Sequence, residues 1–249
     1  MKRLITEDII AVINEAIQGI PKASMHAGDC LSAKDPYLRA FDKIANVWTR
    51  APMVRDFVFN SGIAQFAASL MRVDGIRLSH DQFLNKPAGA SATPIHADQF
   101  HWPVSSEKTL TAWIPLQSTS PEMGAIRYFD GSHLLDVRQR EKVSGGTSES
   151  VMKYFKFGPF PEVASHFGVG DVGFHTGWTF HRAAANTQSN TRSVYTAVMM
   201  EDGIRIVRPC ETFPEGMLNN WCPGQGFGEA LSSRLNPLLF PRSNSIPAF

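Results

Sequence analysis

Cysteine is scarce in this chain. Three among 249 residues, Cys30, Cys210 and Cys222, are an odd number with no Cys-x-x-Cys spacing. That excludes a disulfide framework and a thiolate metal cluster as the organising principle, and suggests reduced thiols in a cytoplasmic protein. An excess of charge of one sign is also missing. Lys and Arg number 24 against 23 Asp and Glu, mixed along the chain, for a net charge of +1. Such a balance carries no footprint for nucleic acid or a membrane surface. No apolar run approaches the roughly 18 residues of a transmembrane span. The opening Met1-Lys2-Arg3 is basic, but the apolar stretch and cleavage site of a leader do not follow. Repeats and low-complexity segments are absent too. What remains is a globular chain, 43% apolar, able to bury one large core. We expect residues 1–249 to form a single domain with a small-molecule substrate; the sequence does not indicate an oligomeric state.

Texture divides the chain at Asp74-Gly75. Before it, the spacing of apolar residues predicts helices. Thr6 is a candidate N-cap with acids behind it and a stripe of Ile9, Ile10, Val12, Ile13 and Ile17. Pro36 to Arg50 and Val54 to Met71 repeat that spacing, the latter through Phe57, Ile63, Phe66 and Leu70. After it, short β-type runs alternate with Gly, Pro, Ser and Thr. The expected strands are Ile76 to Asn85, Thr109 to Pro115, Ala125 to Phe129, Phe167 to Val169, Val172 to Thr176 and Ser193 to Glu201. Helices first and strands afterwards predict an α+β fold, a helical part (1–74) buttressing one face of a two-sheet core (about 75–204). Arg140 to Ser150 read as a polar loop. The extension 205–249 is rich in Pro, Gly and Asn, yet its aromatics, such as Trp221 and Phe227, favour packing over the domain as part of a pocket wall.

Two segments carry chemistry. One is Thr93-Pro94-Ile95-His96-Ala97-Asp98-Gln99; the other runs from Gly170-Asp171 to His181, with Arg192 beyond. On extended backbone, residues i and i+2 point to one side, so His96 and Asp98 can converge on one ion. With the distant His181 they spell a 2-His-1-carboxylate triad, which holds Fe(II) on one face and leaves positions open for a cosubstrate and dioxygen. Arg192 opens a β-type run, expected to lie beside the strand of His181, and can grip a carboxylate with two parallel hydrogen bonds. His175 is a rival for the distal ligand and reads better as a packed strand histidine. Gln82 precedes the triad on a strand. Gln99, His101, Trp102, Trp178 and Phe180 flank its ligands, and the first three together with Trp178 are candidates to border the substrate.

From Gln82 to Val198 the chain resembles the phytanoyl-CoA dioxygenase-like 2-oxoglutarate oxygenases. The resemblance rests on Leu84-Asn85-Lys86-Pro87, His96-Ala97-Asp98, Ala112-Trp113, the run Gly124 to His133, Gly170-Asp171, His181, Asn186 and Arg192. It implies a double-stranded β-helix (jelly-roll, cupin-like) core with Fe(II) and 2-oxoglutarate between its sheets. It makes His96, Asp98 and His181 the metal ligands and Arg192 the partner of the cosubstrate's far carboxylate, with Trp113 lining that pocket; Gln82, from its place on the strand before the triad, is expected to meet cosubstrate or substrate. One departure stands out: many members have Ser two residues after the distal His, where this chain has Ala183. The implied reaction couples decarboxylation of 2-oxoglutarate by dioxygen to oxidation of a substrate C–H bond. Hydroxylation is the default outcome; ring closure, desaturation and epimerisation are variants, and natural-product tailoring is a fitting setting. A cupin-like binding or sensor protein without turnover is the alternative of a different class, since fold does not imply function. Succinate release with iron and 2-oxoglutarate separates the two.

Overall fold

The computed structural model describes residues 1–20, 42–136, 155, 159–208 and 215–241. Helix α1, Glu7–Gln18, starts where expected: Thr6 accepts from the Ile9 amide, satisfying one of the donors a helix start leaves open. Ile10, Ile13 and Ile17 are buried, whereas Ile9 and Val12 lie off that face and are exposed. The segment expected as one helix over 54–71 is two, α2 (Pro52–Asn60) and α3 (Ile63–Met71). They break at Gly62, whose φ of 76° suits a residue without Cβ. Leu70 points to solvent, and α3 buries the small residues Ala64, Ala67 and Ala68 instead.

The helix expected over 36–50 is corrected where it is described. Asp42–Ala45 form a strand, β1, and Val47–Thr49 a single 3-10 turn. Asn46 between them is left-handed, with φ of 51°, and its amide and that of Trp48 are taken by the carbonyl and the carboxylate of Asp81. The three- and four-residue steps of Ile44, Val47 and Trp48 therefore mimic a helix without forming one. The loop expected at 140–150, residues 36–41, Cys30, Cys210, Phe213 and Phe249 lie outside the described residues.

The remaining strands are β2 (Ile76–Lys86), β3 (Thr93–His96), β4 (Thr109–Pro115), β5 (Ile126–Phe129) and β6 (Glu162–Ala164). They continue with β7 (Gly173–Thr176), β8 (His181–Ala183), β9 (Arg192–Glu201) and β10 (Leu238–Phe240). Phe167 makes only an isolated bridge to Thr119 rather than a strand. A larger sheet runs β1-β2-β9-β4-β7, with β10 also on β2; the smaller runs β3-β8-β5-β6, and the pairings are antiparallel. This is the double-stranded β-helix. His181 and Arg192 therefore sit on opposite sheets, not on adjacent strands of one. The chain crosses between sheets after β8, as consecutive jelly-roll strands do.

Alternation along the larger sheet separates two environments. Leu110, Ala112, Ile114, Tyr195, Ala197 and Met199 pack against the helices. Thr111, Trp113, Thr196, Val198 and Met200 face a cavity of about 480 Å³. On β2 one residue too many opposes β9: Leu78 pairs with Met199 and His80 with Val198, leaving Ser79 as a bulge. Leu78 thus packs on the helical side, and His80, two residues later, lines the cavity. A bulge re-aims a side chain in this way. Helix α4, Glu215–Trp221, and the segment after it close the far end. Asn236 ties them down, donating to the carbonyls of Ser79 and Trp221. Among the described residues no helix is long and apolar enough to cross a membrane.

Candidate active site

His96 ends β3 and His181 begins β8, and the two are cross-strand partners with ring centroids 4.3 Å apart. Ala97 is extended, with φ −120° and ψ 131°, and Asp98 then opens a 3-10 turn. These three residues bring one ligand atom each within 4.8 Å of one another. Asp98 Oδ1 lies 3.5 Å from His96 Nε2 and 3.7 Å from His181 Nε2.

Hydrogen bonds select the ring nitrogens. His96 Nδ1 donates to the Pro94 carbonyl at 2.8 Å, and His181 Nδ1 to the Thr179 carbonyl at 2.9 Å. A carbonyl only accepts, so each Nδ1 carries the proton and each Nε2 keeps its lone pair for a metal. Burial and the neighbouring His96 hold His181 well below the usual histidine range. Burial alone would lower His96 and raise Asp98. Asp98 and the Pro94 carbonyl raise His96 instead, while the histidines hold Asp98 well below the usual carboxylate range. Two imidazoles that can offer Nε2, His96 giving up a proton to do so, and one carboxylate suit a divalent first-row metal, and the donor set fits Fe(II).

His175 is close but differently employed. Its Nε2 donates to the other carboxylate oxygen, Asp98 Oδ2, at 3.3 Å, and Thr111 Oγ1 donates to that same oxygen at 3.3 Å. Its proton therefore occupies the nitrogen that faces the triad. His175 orients the carboxylate from the opposite sheet.

The second part of the site is cationic. Arg192, at the start of β9, is the cross-strand partner of Lys86 at the end of β2, and both are buried. Like charges set opposite each other on a sheet repel. Burial first, then Arg192, lowers the Lys86 ammonium to about 7. An anion between them would relieve that repulsion. The Arg192 guanidinium lies over Trp113, 5.7 Å from the ring centroid. Lys86 Nζ donates to Thr93 Oγ1 at 3.4 Å, and Thr93 is paired in register with Ala183. Thr93 thus places a hydroxyl on the strand beside Ala183. Asn186 fixes this corner by donating to the carbonyls of Lys86, Pro87 and Asn190.

Other motif residues are structural. Ser132 of the Gly-Ser-His turn accepts from the Phe180 amide and so anchors the residue before His181; His133 is exposed. Asp171 accepts from Lys2 and from the amides of Arg3 and Gly168.

Of the residues expected near cosubstrate or substrate, Gln82, His101, Trp102 and Trp113 line the cavity. Gln99 and Trp178 are not in its wall. Gln99 is buried behind it, accepting from Thr109 Oγ1 and donating to the Ser106 carbonyl, because the 3-10 turn after Asp98 rotates it away. Trp178 packs edge-on against Phe100, in an aromatic cluster with Phe155 and Phe180. From the extension expected to form part of a pocket wall, Trp221 lines the cavity. The wall also holds Lys43, His80, Thr93 and Thr111, and Lys86 pairs with Arg192, none of which the sequence suggested. A β-bulge or a cross-strand register leaves no mark in the sequence that could have found most of them; Lys86, inside the Asn-Lys-Pro motif, was within reach.

The chain belongs to the phytanoyl-CoA dioxygenase (PhyH) family, whose profile matches residues 2–194. Members are Fe(II)- and 2-oxoglutarate-dependent oxygenases using dioxygen, and this chain is such an enzyme. Among solved structures it is similar to SnoK, a non-haem α-ketoglutarate-dependent carbocyclase from nogalamycin biosynthesis. The two share 25% identity over 96% of this chain and 90% of that one, with a TM-score of 0.79. The epimerase SnoN of the same biosynthesis is 22% identical over 96% of this chain and 91% of that one, TM-score 0.73. EctD from S. alaskensis with bound Fe is 17% identical over 94% and 81%, TM-score 0.72. The latter two likenesses bear on fold alone. No curated protein matches the sequence.

Proposed function

We propose that His96, Asp98 and His181 hold Fe(II) and that Arg192, Lys86 and Thr93 take the far carboxylate of 2-oxoglutarate beside Trp113. The rest of the cavity then binds a small organic molecule, one C–H bond of which is oxidised. The observation that carries this reading is the convergence of three ligand atoms within 4.8 Å, with both imidazole Nδ1 protons committed to backbone carbonyls. Iron, once bound, supplies the activation of dioxygen coupled to decarboxylation of 2-oxoglutarate. The protein's own part is to orient the ligands, neutralise the cosubstrate's charge, and present the substrate from the side of His101 and Trp102.

Hydroxylation is the default outcome. Ring closure is the second reading, supported by similarity to a carbocyclase along nearly the whole chain. The test is succinate formation from 2-oxoglutarate under air with Fe(II), in wild type and in His181→Ala. Iron-dependent succinate in wild type and none in the variant is expected. Equal succinate in both would remove His181 from the metal.

A further inference from the structure

The cavity extends well past the metal site, and the wall of its far arm includes His80, Trp102, Trp221, Met200 and Leu218. His80 packs tilted on the Trp221 ring, centroids 4.1 Å apart, and meets Trp102 edge-on at 6.4 Å. The bulge at Ser79 aims it there, and the Ser79 hydroxyl meets its Nδ1 at 3.1 Å. Among the described residues nothing hydrogen-bonds its Nε2, and that nitrogen opens on the cavity. An unmet polar position in an apolar arm favours a ligand that supplies the partner. Lys43, over the Trp221 ring, is engaged with other groups of the protein. Burial, then the Lys43 cation, lower His80 to about 3, so the imidazole is neutral. A neutral imidazole has one donor and one acceptor nitrogen, and the Ser79 hydroxyl can serve either. Nε2 therefore meets a hydroxyl in either tautomer and a carbonyl in one of them.

Strand register relates this nitrogen to the candidate iron ligands. His80 pairs with Val198, Val198 with Thr111, and Thr111 with His175, in one row across β2, β9, β4 and β7. Thr111 and His175 both donate to Asp98 Oδ2. His80 therefore stands two strands from the hydroxyl that holds the carboxylate, or roughly 10 Å at about 4.8 Å per strand. That distance leaves room for a flat body of about two fused rings between the imidazole and the metal. The residue beneath it in the row is Val198, apolar and facing the cavity.

We propose that the substrate is a hydrophobic molecule with a flat, fused-ring body and a hydroxyl or carbonyl oxygen at one end. The oxygen bonds His80 Nε2, the rings lie against Trp102, Trp221, Val198 and Met200, and the opposite end reaches the metal. The C–H bond that is oxidised then lies on the end of the ring body remote from that oxygen. Aromatic faces favour the rings by apolar contact, and a single hydrogen bond in a sheltered arm decides which end faces the iron. The assignment rests on the oxygenase reading for calling this ligand the substrate, but not for the binding test.

The probes are 2-naphthol and 2-methylnaphthalene, alike in shape and different in one hydrogen-bonding group, measured by equilibrium dialysis against the full chain. Each is run on metal-free protein and on protein loaded anaerobically with Fe(II) and 2-oxoglutarate. The readout is the ratio of the two affinities compared between variants, so that the unequal hydrophobicity of the probes cancels. Wild type should bind both. His80→Phe should shift the ratio against 2-naphthol by roughly fivefold or more, the loss of one hydrogen bond. Trp221→Leu should weaken both probes by a similar factor. An unchanged ratio in His80→Phe, no binding of either probe to wild type, or full affinity for both in Trp221→Leu would overturn the proposal. If His80→Phe does not fold, as judged by circular dichroism, His80→Leu takes its place with the same expected and overturning results. Failure of the oxygenase reading looks different: no 2-oxoglutarate binding or succinate, with the His80-dependent ratio intact in metal-free protein.

Discussion

His175→Phe tests the division of labour around Asp98. The histidine donates to Asp98 Oδ2 at 3.3 Å, sharing that oxygen with Thr111, while Oδ1 faces His96 and His181. Removing the donor leaves all three ligand atoms present but frees the carboxylate to rotate. A hydrogen bond to a charged group contributes about 1.5–3 kcal/mol. At 3.3 Å this one is longer than the usual 2.7–2.9 Å of charge-assisted bonds, and a bound metal draws charge from the same carboxylate. We therefore expect the lower end, about 1.5–2 kcal/mol, or roughly a twelvefold to thirtyfold weaker metal complex. Anaerobic calorimetry with Mn(II) reads this directly. His181→Ala in the same assay should lose binding altogether, because a ligand is gone. His175→Gln, which keeps an N–H donor, should recover part of the loss. Complete loss in His175→Phe with retention in His181→Ala would make His175 the distal ligand and refute the assignment. Wild-type affinity in His175→Phe would show that the hydrogen bond does nothing for the metal.

Four further outcomes are expected. Arg192→Ala should raise the 2-oxoglutarate requirement by roughly 2–5 kcal/mol, as truncation of a buried charge partner does; an unchanged Kd for 2-oxoglutarate would exclude Arg192 from the pocket. Thr93→Val should weaken 2-oxoglutarate several-fold, and Ala183→Ser added to it should restore affinity if the two strands' hydroxyls are interchangeable donors. Gln99→Leu should cost about 1–3 kcal/mol in stability by stranding Thr109, with the product pattern unchanged; altered products at normal stability would put Gln99 in the substrate site after all. Burial pushes the Asp81 carboxyl up to about 7 against hydrogen bonds from Tyr195 and Trp48. Its folded pKa being raised, its stabilising contribution is complete below about 4 and lost as pH rises through about 7. Asp81→Asn should thus melt higher than wild type at about pH 8, with the gap closing toward about pH 5, and a pH-independent gap would refute the ionisation.

The convergence of His96, Asp98 and His181 was legible in the chain because His-x-Asp, common by itself, is followed by a distant His and Arg in the order such a site needs. His96, Asp98 and His181 stand out by chemistry, and Thr109–Pro115 and Arg192–Glu201 by long β-type runs. Less visible were β3 and β8, strands of four and three residues, too short to show alternation. Their pairing is what brings His96 onto His181 and Thr93 onto Ala183. The helical misreading of 42–50 came from periodicity alone, since apolar steps of three and four also arise in a strand followed by a turn. The placement of Gln99 depended on where extended backbone stops. The i, i+2 rule holds from His96 to Asp98 and fails one residue later, when the chain coils into the 3-10 turn.

The two histidines proposed as ligands are held by the same local device. Each Nδ1 donates to the carbonyl two residues upstream, Pro94 for His96 and Thr179 for His181. The tautomer that exposes Nε2 is thus set within each short segment, by backbone that changes little with side-chain substitution. The carboxylate takes its partners from farther away, His175 and Thr111 of the larger sheet. The cationic seat and the far arm rest instead on cross-strand pairs, on the Ser79 bulge and on the C-terminal segment tied down by Asn236. The proposed iron site and the far wall of the cavity are thus built by different devices.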